Sequence, residues 1–165
     1  MAVLPICLFP DPILRKRARP VSSASNRELE RFLADFLETL FAQPGGIGIA
    51  APQVGEGRQI AIVDVSSKDS SKDRLILINP EILEQEGEVL SREGCMSLPD
   101  YTANVKRASR IVITWTDEHG RRHQKSTSGI EAICMQHEVD HLNGVLFIDR
   151  VASLKTDVFP RKKRR

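Results

Sequence analysis

Apolar residues between positions 26 and 42 recur at helical spacing. Leu29, Phe32, Leu33, Phe36, Leu37, Leu40 and Phe41 form one stripe, and Arg27, Glu30, Arg31, Asp35 and Glu38 occupy the opposite side. Such a stripe predicts an amphipathic helix packed on a core. Ser25 and Glu28 stand at capping-box spacing before it, and Pro44-Gly45-Gly46 ends it. The first twenty residues carry Pro5, Pro10, Pro12 and Pro20 and read as extended segments and turns. Residues 60–65 and 75–78 are strand-like runs flanking a polar loop, Ser66 to Asp73. Residues 81–90 and 110–116 also read as strands, the latter turning through Asp117-Glu118-His119-Gly120 into a return strand near 121–127. From Gly129 to Leu142 the pattern is helical again. The expectation is an α+β fold: antiparallel strands around a central helix, with a second amphipathic helix near the N-terminus. Without repeats or linkers, one domain spans 1–160 and a basic tail covers 161–165.

Composition narrows the class. A chain of 165 residues with 41% apolar content can bury a real core and is not expected to be disordered. No apolar run approaches the ~18 residues of a membrane span. Pro5, Pro10 and Asp11 come too early for a secretory leader. Three cysteines, Cys7, Cys95 and Cys134, are too few for a disulfide scaffold and suit a reducing cytoplasm. The net charge is +2, yet Arg161-Lys162-Lys163-Arg164-Arg165 is wholly basic. Such a tail attracts polyanions such as RNA but reads no base sequence.

The candidate chemistry lies in His137-Glu138-Val139-Asp140-His141. Helical positions i and i+4 share a face, so both imidazoles can reach one metal ion, with Glu138 placed to take a proton from activated water. A catalytic site of this kind needs a third protein ligand. No glutamate follows Glu138, and the position where a longer motif would carry its third histidine holds Phe147. Cys134 shares the helical face, but 134, 137 and 141 are strung along about 10.5 Å of rise and cannot readily converge. It reads as a small buried wall residue. His119 and His123 belong to a polar turn, and Cys7 to an apolar extended segment. Cys95 remains, in Glu93-Gly94-Cys95-Met96-Ser97, read as a loop after a strand where Gly94 allows close backbone approach.

A third segment, Gly45-Gly46-Ile47-Gly48-Ile49-Ala50-Ala51-Pro52-Gln53, lacks the remaining glycine of a dinucleotide fingerprint and has no Gly-Lys-Ser/Thr. Its small residues let another chain approach the backbone, and the Gln53 amide could donate to an oxyanion. A tight turn packed under a helix is the alternative.

Together, Gly46-Ile47-Gly48-Ile49-Ala50-Ala51-Pro52-Gln53, Glu93-Gly94-Cys95-Met96-Ser97 and His137-Glu138-Val139-Asp140-His141 resemble, in order, the three motifs of the peptide deformylases. The likeness runs from the Asp11-Pro12 region to about Arg150. It implies one divalent metal ion per chain on Cys95, His137 and His141, natively Fe²⁺, with Zn²⁺ or Ni²⁺ able to occupy the site. It implies N-formyl-methionyl peptides as substrates, formate as product, and a cytoplasmic enzyme, or one of an organelle matrix. Glu138 would share in generating the nucleophile, while Gln53 and the Met96 backbone N–H would stabilise the oxyanion. The Gly46-Ile47-Gly48 backbone would pair with substrate, and Ile47, Ile133 and Cys134 would hold the methionine side chain.

Two expectations go beyond the resemblance. Glu93 and Arg107 should form a buried ion pair holding the Cys95 segment, and Asp140 either orients a ligand or is simply exposed. Departures are Met96 in place of a common leucine, Glu131 at an often apolar position that could alter the pocket rim, and a short chain beyond Leu154. The basic tail then offers the means for transient ribosome contact. Another metal-dependent amide hydrolase and a tail-driven RNA binder are the competing readings.

Overall fold

A computed structural model describes residues 2–23 and 26–161; Ser25 of the capping expectation and residues 162–165 of the tail lie outside them. In chain order come α1 (Arg27–Phe41), β1 (Gly48–Ala50), β2 (Ile60–Val63), β3 (Leu75–Glu86), β4 (Val89–Cys95) and β5 (Leu98–Arg107). They are followed by β6 (Arg110–Thr116), β7 (Arg122–Ser128), α2 (Gly129–Leu142) and β8 (Val158–Pro160). One antiparallel sheet has the order β1-β2-β3-β6-β7 and a smaller one the order β4-β5-β8. The fold is thus a mixture of helix and antiparallel sheet. Among the described residues no helix is long and apolar enough to cross a membrane.

The larger sheet is covered on both faces, which explains why every residue of Ile60-Ala61-Ile62-Val63 is buried. Side chains alternate across a strand. Ile60 and Ile62 pack with Leu29, Leu33, Phe36 and Leu40 of α1. Ala61 and Val63 face the other way, with Ala132, Met135 and Val139 of α2. The smaller sheet has its own core, in which Cys95, Ala103 and Val105 meet Leu14, Leu146 and Phe147. Helix α2 is buried around most of its circumference, because the large sheet takes one side and the β4–β5 hairpin approaches another.

The strand boundaries differ from the sequence expectation. Residues 75–78 and 81–86 are one strand, β3, crossing Asn79-Pro80 through an irregularity between Ile78 and Glu81. Proline is tolerated there because a bulge spares it the ladder hydrogen bond. The Asn79 side chain brackets the Val21 backbone, accepting its N–H at 2.8 Å and donating to its C=O at 2.9 Å. The expected strand 81–90 is cut at Gly87, whose φ of 74° suits the turn into β4. Strand β5 was not foreseen. The chain beyond Leu154 returns as β8 along β5.

At the start of α1 the Asn26 side chain accepts the Leu29 N–H at 2.8 Å. Asn26→Ala leaves that donor without its cap and should lower unfolding stability by about 1 kcal/mol, read as a reduced urea midpoint with unchanged slope.

Candidate metal centre and active site

Helix α2 carries His137, Glu138 and His141, all buried. Cys95 is not in a loop but ends β4, where the register slips between Gly94 and Cys95 and the chain turns through Met96 and Ser97 to Leu98. A bulge re-aims a side chain. Here the Cys95 Sγ lies 3.3 Å from His141 Nε2. One ligand atom each from Cys95, His137 and His141 falls within 4.8 Å of the others. A soft sulfur and two imidazoles at that spacing fit a divalent transition metal ion, and three protein donors are the number typical of a catalytic rather than a structural site.

The second nitrogens of the imidazoles differ. His137 Nδ1 donates to Glu93 Oε1 at 2.8 Å, which leaves Nε2 as the nitrogen that could bind a metal ion. His141 Nδ1 is buried without a hydrogen-bond partner among the described residues. Burial alone would lower the His137 pKa, but hydrogen bonds to Cys95 and Glu93 and the nearby Glu138 charge push it well above the usual histidine value. Burial, then the charges of His137 and Arg107, hold His141 well below that value, so its ring is neutral.

Behind these groups runs a chain of buried charge. Arg107 donates to both Glu93 oxygens, each at 2.8 Å, and to Asp140 Oδ2 at 2.7 Å. Arg150 then grips both oxygens of Asp140 at 2.8 and 2.9 Å. Asp140 is therefore not an exposed acid: it links α2 to the hairpin. Burial would raise the Glu93 pKa, yet the hydrogen bonds from Arg107 and His137 hold it down at about 2. Glu93 stays an anion at neutral pH.

Glu138 is the opposite case. Burial pushes its carboxyl up to about 7; His137 opposes the shift and the Glu93 charge adds to it. A cation at the triad would pull the value down again. Its Oε2 is buried without a partner among the described residues. Gly48 presses against it, since a Cβ there would meet Cys134 Sγ at 2.7 Å and Glu138 Oε1 at 3.0 Å. At Gly48, then, the small residue makes room for α2. Gly46 likewise accommodates Met96, whose Cε would lie 3.0 Å from an added Cβ.

Gln53 is buried, accepts the Ala50 N–H at 2.9 Å, and directs Nε2 toward Cys95 Sγ at 3.4 Å and Ser97 Oγ at 3.2 Å. Its amide is thereby fixed beside the triad. These groups border a cleft of about 920 Å³ that also includes Gly46, Ile47, Gly48, Met96, Ile133 and Cys134. Cys134, its thiol pKa raised by burial, donates to the Ile47 carbonyl at 3.4 Å. Glu131 does not line this cleft. It points toward β7, where Lys125 Nζ lies 2.7 Å away and the Thr127 hydroxyl donates at 2.8 Å. Ser97, Arg150 and Phe147, whose ring stacks 6.1 Å from His137, were not singled out from sequence. Arg150 sits in the region of likeness but carries no local signal of its partner.

Comparison with known proteins places this geometry in a class. The family model for polypeptide deformylases matches residues 3–157. A peptide deformylase of Xylella fastidiosa strain M12 is 44% identical over 164 residues, covering 98% of this chain and 95% of the relative. The Thermotoga maritima peptide deformylase structure superposes with a TM-score of 0.85 at 36% identity, covering 93% of this chain and all of that one. A class I type b enzyme from Acinetobacter baumannii, solved with Met-Ala-Ser bound, gives a TM-score of 0.84 at 33% identity over 91% of this chain and 99% of that one. The chain belongs to the polypeptide deformylase family. It is a metal-dependent hydrolase that removes the N-formyl group from the initiator methionine of new polypeptides and releases formate.

Truncating Arg107 would strand Glu93 and Asp140 as buried, unpaired anions. Arg107→Ala should lose about 3–5 kcal/mol of stability and bind less metal per chain, read by urea unfolding and elemental analysis. Unchanged stability and metal content would reject a positioning role for this residue.

Proposed function

We propose that Cys95, His137 and His141 hold one divalent cation and that Glu138 moves the protons of formyl hydrolysis. The supporting observation is the approach of three ligand-type atoms to within 4.8 Å, with a buried carboxylate on the same helix. When bound, the cation supplies an acidified water and draws charge from the formyl oxygen. Glu138, on the same helix as both histidines, takes the proton of the attacking water and returns it to the departing amine. As charge grows on the formyl oxygen, the Gln53 amide and the Met96 backbone N–H donate to it. Gln53 holds its amide nitrogen between the Cys95 sulfur and the Ser97 hydroxyl, and the proton aimed at the sulfur is the one that turns to the formyl oxygen.

Substrate recognition follows from strand edges. Among the described residues, strand β1 pairs only with β2, and β4 only with β5, so each presents an unpaired edge. Residues of both segments, 46–48 and 91–95, border the cleft. An extended formyl-methionyl peptide laid along Gly46 and Ile47 gains main-chain hydrogen bonds whatever its sequence. Its methionine side chain enters the wall of Ile47, Ile133 and Cys134. We read α2 as the central helix of a single catalytic domain over 1–160, with α1 as the second helix bracing the large sheet. Iron(II) is our assignment for the native ion, with zinc or nickel as substitutes, since a Cys-His-His donor set accepts all three. The protein would work in the cytoplasm or an organelle matrix, and the basic run at its end would give transient attraction to the ribosome.

Formyl-Met-Ala-Ser should release formate while its acetyl counterpart resists, and Glu138→Gln should lower kcat at least about 10²-fold with metal content retained. A Glu138→Gln variant of undiminished rate would remove Glu138 from the reaction. Enzyme purified without oxygen should contain iron and lose activity in air as the sulfur-ligated ion oxidises. Activity that survives air with zinc bound would overturn the iron assignment.

A further inference from the structure

Arg161 belongs by sequence to a solvated tail, yet the fold holds it at the cleft. Strand β8 pairs with β5, aligning Pro160 with Tyr101, and the Arg161 backbone N–H donates to the Asp100 carbonyl at 2.7 Å. From that anchor the guanidinium lies over Gly94, where an added Cβ would collide with it, one residue from Cys95. It lines the cleft with Lys68, Arg92 and Asp100. Arg92 is otherwise engaged, its guanidinium 3.9 Å from the centre of the Phe159 ring and donating to Thr102 Oγ1 at 3.1 Å. Glu93 and Glu138 of the same cleft are buried, and Asp100 is its exposed carboxylate, one anion at the rim against the cations Lys68, Arg92 and Arg161.

We infer that Arg161 is a specificity-determining contact for a carboxylate carried by the substrate just beyond its methionine. The inference rests on the deformylase reading of the site. With the formyl group beside Cys95 and the methionine side chain in its apolar wall, the following residues leave the cleft past Gly94. A guanidinium there offers a planar fork of donors matched to a carboxylate. Recognition elsewhere in the cleft is through main chain and is indifferent to sequence, so this side chain is where discrimination after methionine arises.

Formate release should be compared for formyl-Met-Ala-Glu-amide against formyl-Met-Ala-Gln-amide, and for formyl-Met-Ala-Ser against its C-terminal amide. The full chain, R161A and R161K are each assayed with both pairs. Wild type should favour the carboxylate member by roughly two- to fivefold in kcat/KM, carried by KM and shrinking at high salt. In R161A the ratio should fall to about one, and R161K should retain part of it. Because each ratio is internal to one variant, it does not depend on the fraction of folded enzyme. A preference confined to the Glu/Gln pair assigns the contact to an acidic side chain, and one confined to the acid/amide pair to a chain end; either supports the contact. A wild-type ratio of one, or an R161A ratio equal to wild type, overturns it while leaving the deformylase reading intact. Failure of the wild type to release formate from any of the four peptides would overturn both.

Discussion

Arg107 lies between two acids contributed by different layers, Glu93 on the hairpin and Asp140 on α2, and is almost wholly buried. Two of the three candidate ligands ride on the helix and the third on the hairpin tip, so the site exists only while these elements keep their spacing. Apolar packing is non-directional and would allow them to slide. A bidentate guanidinium–carboxylate contact on one side and a charged contact on the other fixes distance and angle together. Burying such ions costs several kcal/mol each, so the network is poorly explained as a source of stability. Its geometry is the better explanation: Glu93 completes the line by accepting from His137, which orients a ring facing the triad.

The rest of the fold serves that contact by leaving α2 little freedom. The large sheet presses Ala132, Met135 and Val139 from one side, and at Gly48 the β1 backbone comes so close that no side chain fits between it and Cys134. Gln136 ties the helix to the turn between β5 and β6, exchanging hydrogen bonds of 2.9 Å with both backbone groups of Ala108. A helix held on this many sides keeps His137, Glu138 and His141 in fixed relation, and the same enclosure pushes the Glu138 carboxyl pKa upward.

What could be read from the chain alone follows from how each element is stabilised. Helix α1 announces itself because one face is apolar and the other charged. The HExxH spacing is legible because both histidines serve one point on one helix. Strand β5 is illegible by the same logic: its buried positions are Leu98, then Ala103, Val105 and Arg107, a leucine set apart by an exposed stretch and two apolar residues ending on an ion, too sparse to mark an apolar alternation. Missing β5 meant that Cys95 looked like part of a loop, when it is the tip of a hairpin. Glu131 was misplaced because an acid at the start of a helix says nothing of which side it faces; its partners Lys125 and Thr127 lie on β7. Arg150 and Asp140 are ten residues apart across the end of α2, a separation that no periodicity marks.

The cleft between two strand edges joins catalysis to tolerance. Unpaired backbone at β1 and β4 is an aggregation hazard in most proteins, and the short β1 and the charged β4 limit it here. The same feature suits an enzyme that must accept every new polypeptide, since backbone hydrogen bonds carry no information about side chains beyond the first. Discrimination can then enter only from groups that border the edges without pairing to them. Met96 packs over Gly46 from the hairpin tip, and Arg161 lies over Gly94 from the end of the chain. Gly94 lies on the β4 edge, and Gly46 in the segment leading into β1. In the proposed binding mode, affinity along the cleft would come from main chain, and selectivity from the side chains laid over it.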